Sequence, residues 1–519
     1  MSQGTGRSAF LVAAGILCSR LAGLVRLRVF AHFFGLSDTA DAFNAAFRIP
    51  NLLQNLFGEG ALSASFIPVY SSLLAKGERG EADRAAGAVA SMLALGMSAL
   101  VLLGVTCADV LVSAIAPGFE GAKRELTVAL VRVLFPGAGL LVLSAWCLGV
   151  LNSHGRFLLS YAAPVGWNAA MIATLLFYGS SSPLPRLAQL LAWGSVAGSA
   201  LQLAVQLPTV LSQAPGLRFA LDASSAHVRE VGRNFAPVLI SRGVVQVSAY
   251  VDELLASLLP SGAVAGLASA QLLYTLPVSL FGMSVAAAEL PTMSGEAARE
   301  TGREALRKRL DDGLRRIAFF VVPSAAAFLA LGDVVAGALL QTGRFTRTDS
   351  VYVWGILAGS AVGLLASTMG RLYSSAYYAL RDTRSPLRYA LVRVALTTVL
   401  GWLFAFPLTR ALGLAPAWGA AGLTASAGLA AWVEFLMLRA GLVGRLGPTG
   451  LPAAYTARLW LCAGLGAAAA WTVKQAAFDL HPVLAAAAML TPYGAVYLGA
   501  ALLFEIPEAT AALDRLLRR

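Results

Sequence analysis

Charge is scarce in this chain of 519 residues. Asp, Glu, Lys and Arg together make up 13% of it, against about 25% in an ordinary soluble domain. A fold of this length with so little charge cannot cover its surface for water, which excludes a cytosolic enzyme. Disorder is excluded as well, because 58% of the residues are hydrophobic and disordered segments are poor in them. Cysteine is just as scarce. Cys18, Cys107, Cys147 and Cys462 each lie in or beside an apolar run, with no metal-ligand or redox spacing. They read as small buried hydrophobes rather than as a disulfide scaffold. The four histidines, His32, His154, His227 and His481, form no HExxH-type pair. No Ser-His-Asp, Cys-His or zinc constellation is present. The one Asp pair, Asp311-Asp312, lies in the basic stretch 295–316 and reads as a solvated helix start. A membrane transferase acting on polyprenyl phosphates would need an acidic metal-binding cluster, so the chain is not expected to be an enzyme.

What is present is apolar length. Mean hydropathy is +0.71. The first apolar run contains Arg20, Arg26 and Arg28, unlike the clean core of a signal peptide, so it reads as an uncleaved membrane helix. A span needs roughly 20 mostly apolar residues. Runs between polar breaks predict fourteen helices, at 9–35, 40–75, 84–115, 125–152, 158–178, 187–210, 229–258, 263–294, 307–340, 348–380, 386–408, 416–438, 454–473 and 483–504. They are long, rich in Leu and Ala and do not alternate, which argues against a β-barrel. The expected fold is an all-α polytopic membrane protein.

The net charge of +12 then needs an address. Of the 39 Lys and Arg residues, 24 fall in loops on the side of the N-terminus and seven in loops on the other side. Positive loops stay cytoplasmic, so both termini are expected in the cytoplasm. The basic stretch 295–316 doubles as an amphipathic segment able to lie on anionic lipid. The remaining eight cations lie inside spans: Arg20, Arg26, Arg28, Arg48, Arg132, Arg242, Arg371 and Arg393. Arg132 and Arg393 lie near span ends and are expected to snorkel. Intramembrane charge is costly and marks a pathway by default.

The second helix is the most informative. At 3.6 residues per turn, Asp41, Asn44, Arg48, Asn51, Asn55 and Glu59 fall within an arc of about 80°. A stripe of both signs through the membrane depth reads as a transport path rather than a lipid face, although a buried polar seam has the same pattern. Arg20 and Arg26 on the first helix lie about 120° apart and converge only if that helix breaks, for which Gly23 offers a place. Arg clusters suit phosphate or pyrophosphate, which guanidinium binds bidentately. On the seventh helix Arg242, Gln246 and Glu253 share a face with Asp252 beside them. Gln271 and Glu289 share an angle on the eighth. Arg371 opens a polar row on the tenth that continues through Tyr378 and Asp382.

An internal repeat links these helices. Ser19-Arg20 recurs as Ser241-Arg242, and Phe57-Gly58 followed by Pro68 recurs as Phe281-Gly282 followed by Pro291, at offsets of 222 to 224 residues. The repeat fits two six-helix lobes, 1–226 and 227–440, in a common transporter plan, with helices 13 and 14 and a cytoplasmic tail in 441–519. The stretch from Ser19 to Tyr70 contains DAFxxAFxxPN (Asp41 to Asn51) and FxEGAxSxxFxP (Phe57 to Pro68). It strongly resembles the MurJ (MviN) lipid II flippases of the multidrug/oligosaccharidyl-lipid/polysaccharide exporter superfamily. Tyr377 to Pro386 resembles a later family pattern, and the likeness runs collinearly over the whole chain.

The resemblance implies alternating-access flipping of lipid II, the undecaprenyl-pyrophosphate-linked peptidoglycan precursor, from the inner to the outer leaflet of a bacterial cytoplasmic membrane. Flippase action on another polyprenyl-linked glycan, and multidrug export, are the alternatives; the excess of Arg on helices 1 and 2 argues against a cavity for organic cations. By the resemblance Arg20, Arg26, Asp41 and Glu59 bind substrate. Two usual cations are absent, replaced by Gln54 with Asn55 and by Gln271 with Leu272. The expected site is therefore Arg20, Arg26, Asp41, Arg48, Asn51, Asn55, Glu59, Arg242, Gln271 and Arg371, with Arg242 filling the gap. Some relatives bind sodium in the second lobe, and the matching positions are Asp252, Asp382, Val394 and Thr398, with Tyr378 at a changed ligand position. The resemblance further implies a groove for the polyprenyl tail on helices 13 and 14. No organic cofactor and no nucleic acid are expected; sodium or the membrane potential would supply the coupling. The partners are lipid II and membrane lipids, and a monomer is expected.

Overall fold

The structure is a computed structural model that describes residues 2–222, 225–297, 302–476 and 480–517. Among these every long element is a helix. Ten segments are long and apolar enough to cross a membrane, and each of the fourteen expected positions is helical. The charge-bearing α1 (Ser2–Phe34), α2 (Asp38–Phe57) and α9 (Ala226–Ser257) are outside the set of ten.

Contacts divide the chain into two compact units. The first runs from Met1 to Val264 and takes in Thr342–Arg344. It holds α1 and α2, then α3 (Glu59–Ala75), α4 (Arg79–Thr106), α5 (Ala108–Ile115), α6 (Gly121–Ser153), α7 (Phe157–Tyr178), α8 (Leu184–Gln213) and α9. Ser37 starts α2 by accepting the Ala40 N–H, and Asp38 and Asp41 in its first turn suit the positive end of the helix dipole. The predicted 40–75 span is two helices, because Gly58 leaves helical geometry at φ −81°, ψ −144°. A β-carbon there would collide with the Gln54 carbonyl. Predicted span 84–115 is broken too, at Cys107. The core of this unit packs α3, α4, α6 and α9 around Phe66, Tyr70, Trp146 and Val231.

The second unit comprises Ala265–Gln341 and Phe345–Arg519. It is built from α10 (Ala263–Pro277), α11 (Ser284–Ala297), α12 (Gly302–Leu340), α13 (Arg347–Ala379), α14 (Arg384–Leu403), α15 (Thr409–Ala411), α16 (Gly419–Leu446), α17 (Ala453–Ala476), α18 (Pro482–Leu503) and α19 (Pro507–Leu517). A π-helical turn, Val278–Met283, joins α10 to α11, and another, Phe404–Leu408, follows α14. The Phe-Gly pair of the repeat therefore marks a helix break at Gly58 in the first unit and lies in a π-turn at Gly282 in the second. Helices α13 and α16 approach closely at Gly359 and Gly363, where added β-carbons would strike Thr424 and Gly428. Small residues four apart do this when no hydrophobic effect drives helix association in lipid. Helices α17 and α18 are tied to α12 by a Lys474–Asp333 ion pair at 2.6 Å and by the Tyr497 hydroxyl, which donates to the Phe319 carbonyl. Asp311, expected to be solvated, accepts the Gly450 N–H at 2.9 Å. Packing thus draws the division after α9, at Val264, whereas the sequence repeat draws it before α9, at 226.

Candidate substrate site

The described part of the stripe does not act as one surface, because Asp41, Asn44, Arg48 and Asn51 each meet a different neighbour. Asp41 is 1% exposed. Its carboxylate accepts from Lys123 Nζ at 2.7 Å and from the Gly262 N–H at 2.8 Å. Lys123 also pairs with Asp38 at 2.8 Å and sits 4.3 Å from the Phe119 ring. Lys123, in the first turn of α6, is the counter-ion that allows Asp41 to stay buried. Asn44 donates to the carbonyl of Ala40. Asn51 turns into a cavity of about 20 Å³ beside Gln54, Ser195 and Ser199, room for about one water. Asn55 is exposed.

Arg48 is the cation that this helix presents. Its Nε lies 2.8 Å from Glu253 Oε2 on α9, and its side chain is 31% exposed while that of Glu253 is 3%. Tyr250, one turn earlier on α9, donates its hydroxyl to the Arg48 carbonyl and places its ring 5.9 Å from the guanidinium. The other carboxylate oxygen of Glu253, Oε1, is buried with no hydrogen-bond partner among the described residues. An acid with one oxygen committed and one orphaned is a poor permanent resting place for charge. The pairing of Arg48 with Glu253 was not legible, since nothing in the sequence brings α2 and α9 together.

The first helix corrects an expectation. It runs unbroken from Ser2 to Phe34, with no interruption at Gly23, so Arg20 and Arg26 do not converge. Arg20 is exposed. Arg26 points back into its own unit, 4.5 Å from the Trp167 ring and 5.9 Å from Phe47, with Nη1 3.4 Å from Met171 Sδ. Aromatic faces stabilise a guanidinium, so Arg26 ties α1 to α2 and α7. The side chains of Glu59 and Arg242 lie outside the described residues.

In the second unit Gln271 and Arg371 are exposed. Arg393, expected to snorkel, pairs with Glu434 at 3.0 Å, and Glu289 pairs with Arg316 at 3.1 Å. Asp382 occupies the α13–α14 turn, where Arg381 takes φ 59°. Its carboxylate accepts from the N–H groups of Arg384 and Ser385, the Ser385 hydroxyl and Arg445 Nη2. Those donors hold it well below the usual carboxylate range, the Ser385 amide and hydroxyl contributing most. Arg445 also lies 5.3 Å from the Tyr377 ring. The Tyr377–Pro386 pattern is therefore a turn clamp. Thr398 donates to the Val394 carbonyl at 2.9 Å, one turn along α14. Val394 and Thr398 lie about 15 Å and 21 Å along that helix from its first residue, at 1.5 Å per residue, so Asp382 cannot share an ion with them. The expected sodium ligands Asp382, Val394 and Thr398 do not form one coordination sphere. Among the described residues no group of three or more His, Cys, Asp and Glu could hold a metal ion.

A family model described as "Lipid II flippase MurJ" matches residues 30–484. The chain belongs to the MurJ lipid II flippase family. It is 33% identical over 454 residues to the "Probable lipid II flippase MurJ" of Bdellovibrio bacteriovorus, covering 85% of this chain and 82% of that one. It is 31% identical to the "Lipid II flippase MurJ" of Burkholderia cenocepacia, covering 84% and 83%. Among solved structures, a MurJ in an inward closed conformation superposes with a TM-score of 0.78 at 21% identity, covering 95% of this chain and 98% of that one. An inward-facing MATE-family multidrug transporter gives 0.68 at 17% identity, covering 82% and 95%. These structural likenesses speak for the fold, which MurJ and MATE proteins share; the family membership rests on sequence. The chain is a polytopic helical membrane protein and a transporter by family, not an enzyme.

Proposed function

We propose that this protein flips lipid II from the inner to the outer leaflet of the bacterial cytoplasmic membrane by alternating access. The observation that carries the reading is the family match over residues 30–484. The local chemistry agrees with it. Arg48 is partly exposed, with its charge balanced by a carboxylate. A pyrophosphate is the kind of oxyanion that replaces a carboxylate on guanidinium, and it offers more acceptors. Glu253 then acts as a place-holder: it neutralises Arg48 in the empty carrier and yields to the headgroup on loading. Exposed Arg20 and Asn55 add a cation and an amide from α1 and α2. Arg26 and Asp41 support the site by fixing α1 and α2, rather than by touching substrate. The cation bias of the loops supports cytoplasmic placement of both termini, and the protein acts as a monomer. The membrane potential, acting on the uncompensated cations, returns the empty carrier inward.

Complementation tests the reading. In cells depleted of their own lipid II flippase, the wild-type chain is expected to restore lipid II at the outer leaflet and cell-wall growth, and Arg48→Ala to fail at equal expression. Growth restored without outer-leaflet lipid II would sink it. Export of a dye from intact cells without lipid II movement would favour the multidrug alternative.

A further inference from the structure

Helix α13 packs between α12 and α16, and its second half is open along a single stripe. From Gly363 to Ala379 every residue is buried except Ser367, Arg371, Ser374 and Tyr378. At 100° per residue those four fall within an arc of about 60°. The open face of a membrane-crossing helix is apolar where it meets lipid. This one carries a guanidinium, two hydroxyls and a phenol, so it lines a wet space. Arg371 lies about two turns, or 12 Å at 1.5 Å per residue, before Ala379 at the end of α13. Beyond that end is the turn that holds Arg381 and Arg384, on the cation-rich side of the protein.

The charge on this stripe is not closed off. Arg393 Nη1 holds Glu434 Oε2 at 3.0 Å, which commits that carboxylate to α14. Both groups act electrostatically on Arg371, as does Tyr274. Tyr274 reaches the stripe from α10, with its hydroxyl 2.6 Å from Ser367 Oγ. The Arg371 guanidinium has no ion-pair or hydrogen-bond partner among the described residues. Arg371, Arg393 and Glu434 therefore sum to one positive charge, beside neutral hydroxyls. A pyrophosphate brings more negative charge than this cluster can match. A carboxylate brings one, and it fits the fork of a guanidinium bidentately.

We propose that the stripe is a peptide subsite, in which Arg371 takes a free carboxylate of the stem peptide of lipid II and the hydroxyls of Ser374 and Tyr378 bond the polar groups beside it. The proposal rests on the lipid II reading above and names the part of that substrate which the second unit recognises.

Titration calorimetry of the full-length protein in detergent tests it, with two ligands: lipid II with its stem-peptide carboxylates free, and the same lipid with all of them amidated. Wild type is expected to bind the free acid about tenfold more tightly, as suits a bidentate charged contact. Arg371→Gln is expected to bring the two affinities within twofold. Arg371→Lys, which keeps the charge and loses the fork, should retain about a threefold preference. Arg388→Gln, at an exposed arginine of α14, should leave the preference as in wild type, which separates a site from general attraction to a cationic protein. Arg48→Ala is expected to weaken both ligands alike and to keep the preference. Thermal unfolding checks that each variant is folded, and Arg371→Lys carries the test if Arg371→Gln is not. A wild-type preference within twofold, or one that survives intact in the Arg371 variants, would overturn the proposal and leave the lipid II reading standing. Failure of wild type to bind either lipid would overturn that reading and the proposal with it.

Discussion

At the scale of single residues, two carboxylates on neighbouring elements behave differently because their counter-ions differ. Asp41 is closed off: Lys123 and the Gly262 N–H satisfy it, and 1% exposure leaves it no route to substrate. Removing one partner of a buried ion pair costs about 3–5 kcal/mol, because the other charge is stranded. Lys123→Met is therefore expected to destabilise the protein by about 3 kcal/mol in denaturant unfolding in detergent. The double variant Asp41→Asn with Lys123→Met should recover most of that loss, and equal instability of single and double variants would contradict the pairing. Glu253, by contrast, holds Arg48 with one oxygen and leaves the other without a hydrogen bond. Glu253→Gln removes its negative charge and leaves Arg48 to an incoming anion. Binding of a polyprenyl pyrophosphate is expected to tighten about tenfold, roughly 1.4 kcal/mol, by titration calorimetry in detergent. Unchanged affinity would mean that the carboxylate does not compete.

At the scale of elements, much of the fold was legible, because each of the fourteen apolar runs is helical, although two are broken into a pair of helices and two miss an end by seven or eight residues. Apolar length is a property that a sequence carries locally. The breaks were less legible. Pro50 lies inside α2, yet the break falls at Gly58, where the backbone leaves helical φ/ψ. Gly23 offered a place for a break in the first helix, and the helix runs through it. A glycine permits a break but does not impose one; tertiary contact decides, and for α1 the aromatic clasp on Arg26 holds the straight form. Gly58→Val is expected to destabilise the protein by about 1–3 kcal/mol, since the new side chain meets the Gln54 carbonyl. Gly444→Val, at an open position, is the control for melting in detergent. The α13–α14 turn gives a pH prediction. The Asp382 carboxylate is held below its ordinary range by Ser385 and Arg445, so its contribution is present above the unfolded value of about 3.9 and is lost as pH falls through the folded one. Stability of the wild type relative to Asp382→Ala is thus expected to be flat from about pH 5 to 8, at about 0.5–2 kcal/mol for the lost cap. A difference that vanishes near neutral pH would refute the clamp.

At the scale of the whole molecule, the charge balance separates into two kinds. Loop cations bias orientation, and their count is read without knowing partners, although Lys123 among them also closes an ion pair with Asp41. Intramembrane cations depend on partners, and partners are long-range facts. Arg48 finds Glu253 across some 200 residues of sequence, and Arg26 finds Trp167 across some 140, so neither could be assigned before the helices were in place. This difference decides which charges feel the membrane potential. An uncompensated charge that crosses the whole field gains about 2.3 kcal/mol per 100 mV, about fiftyfold in rate. Arg48 moves together with Glu253 in the empty carrier, so the pair is neutral and contributes nothing to that return step. Exposed Arg20 carries its charge with no ion-pair partner among the described residues. The return of the empty carrier in oriented proteoliposomes is therefore expected to quicken with an inside-negative diffusion potential. Arg20→Gln should flatten that dependence by about one charge, whereas the double variant Arg48→Gln with Glu253→Gln should leave its slope as in wild type. If the double variant alone flattened the slope, the pair would have to be separated in the empty carrier, and Glu253 would not be the place-holder for pyrophosphate.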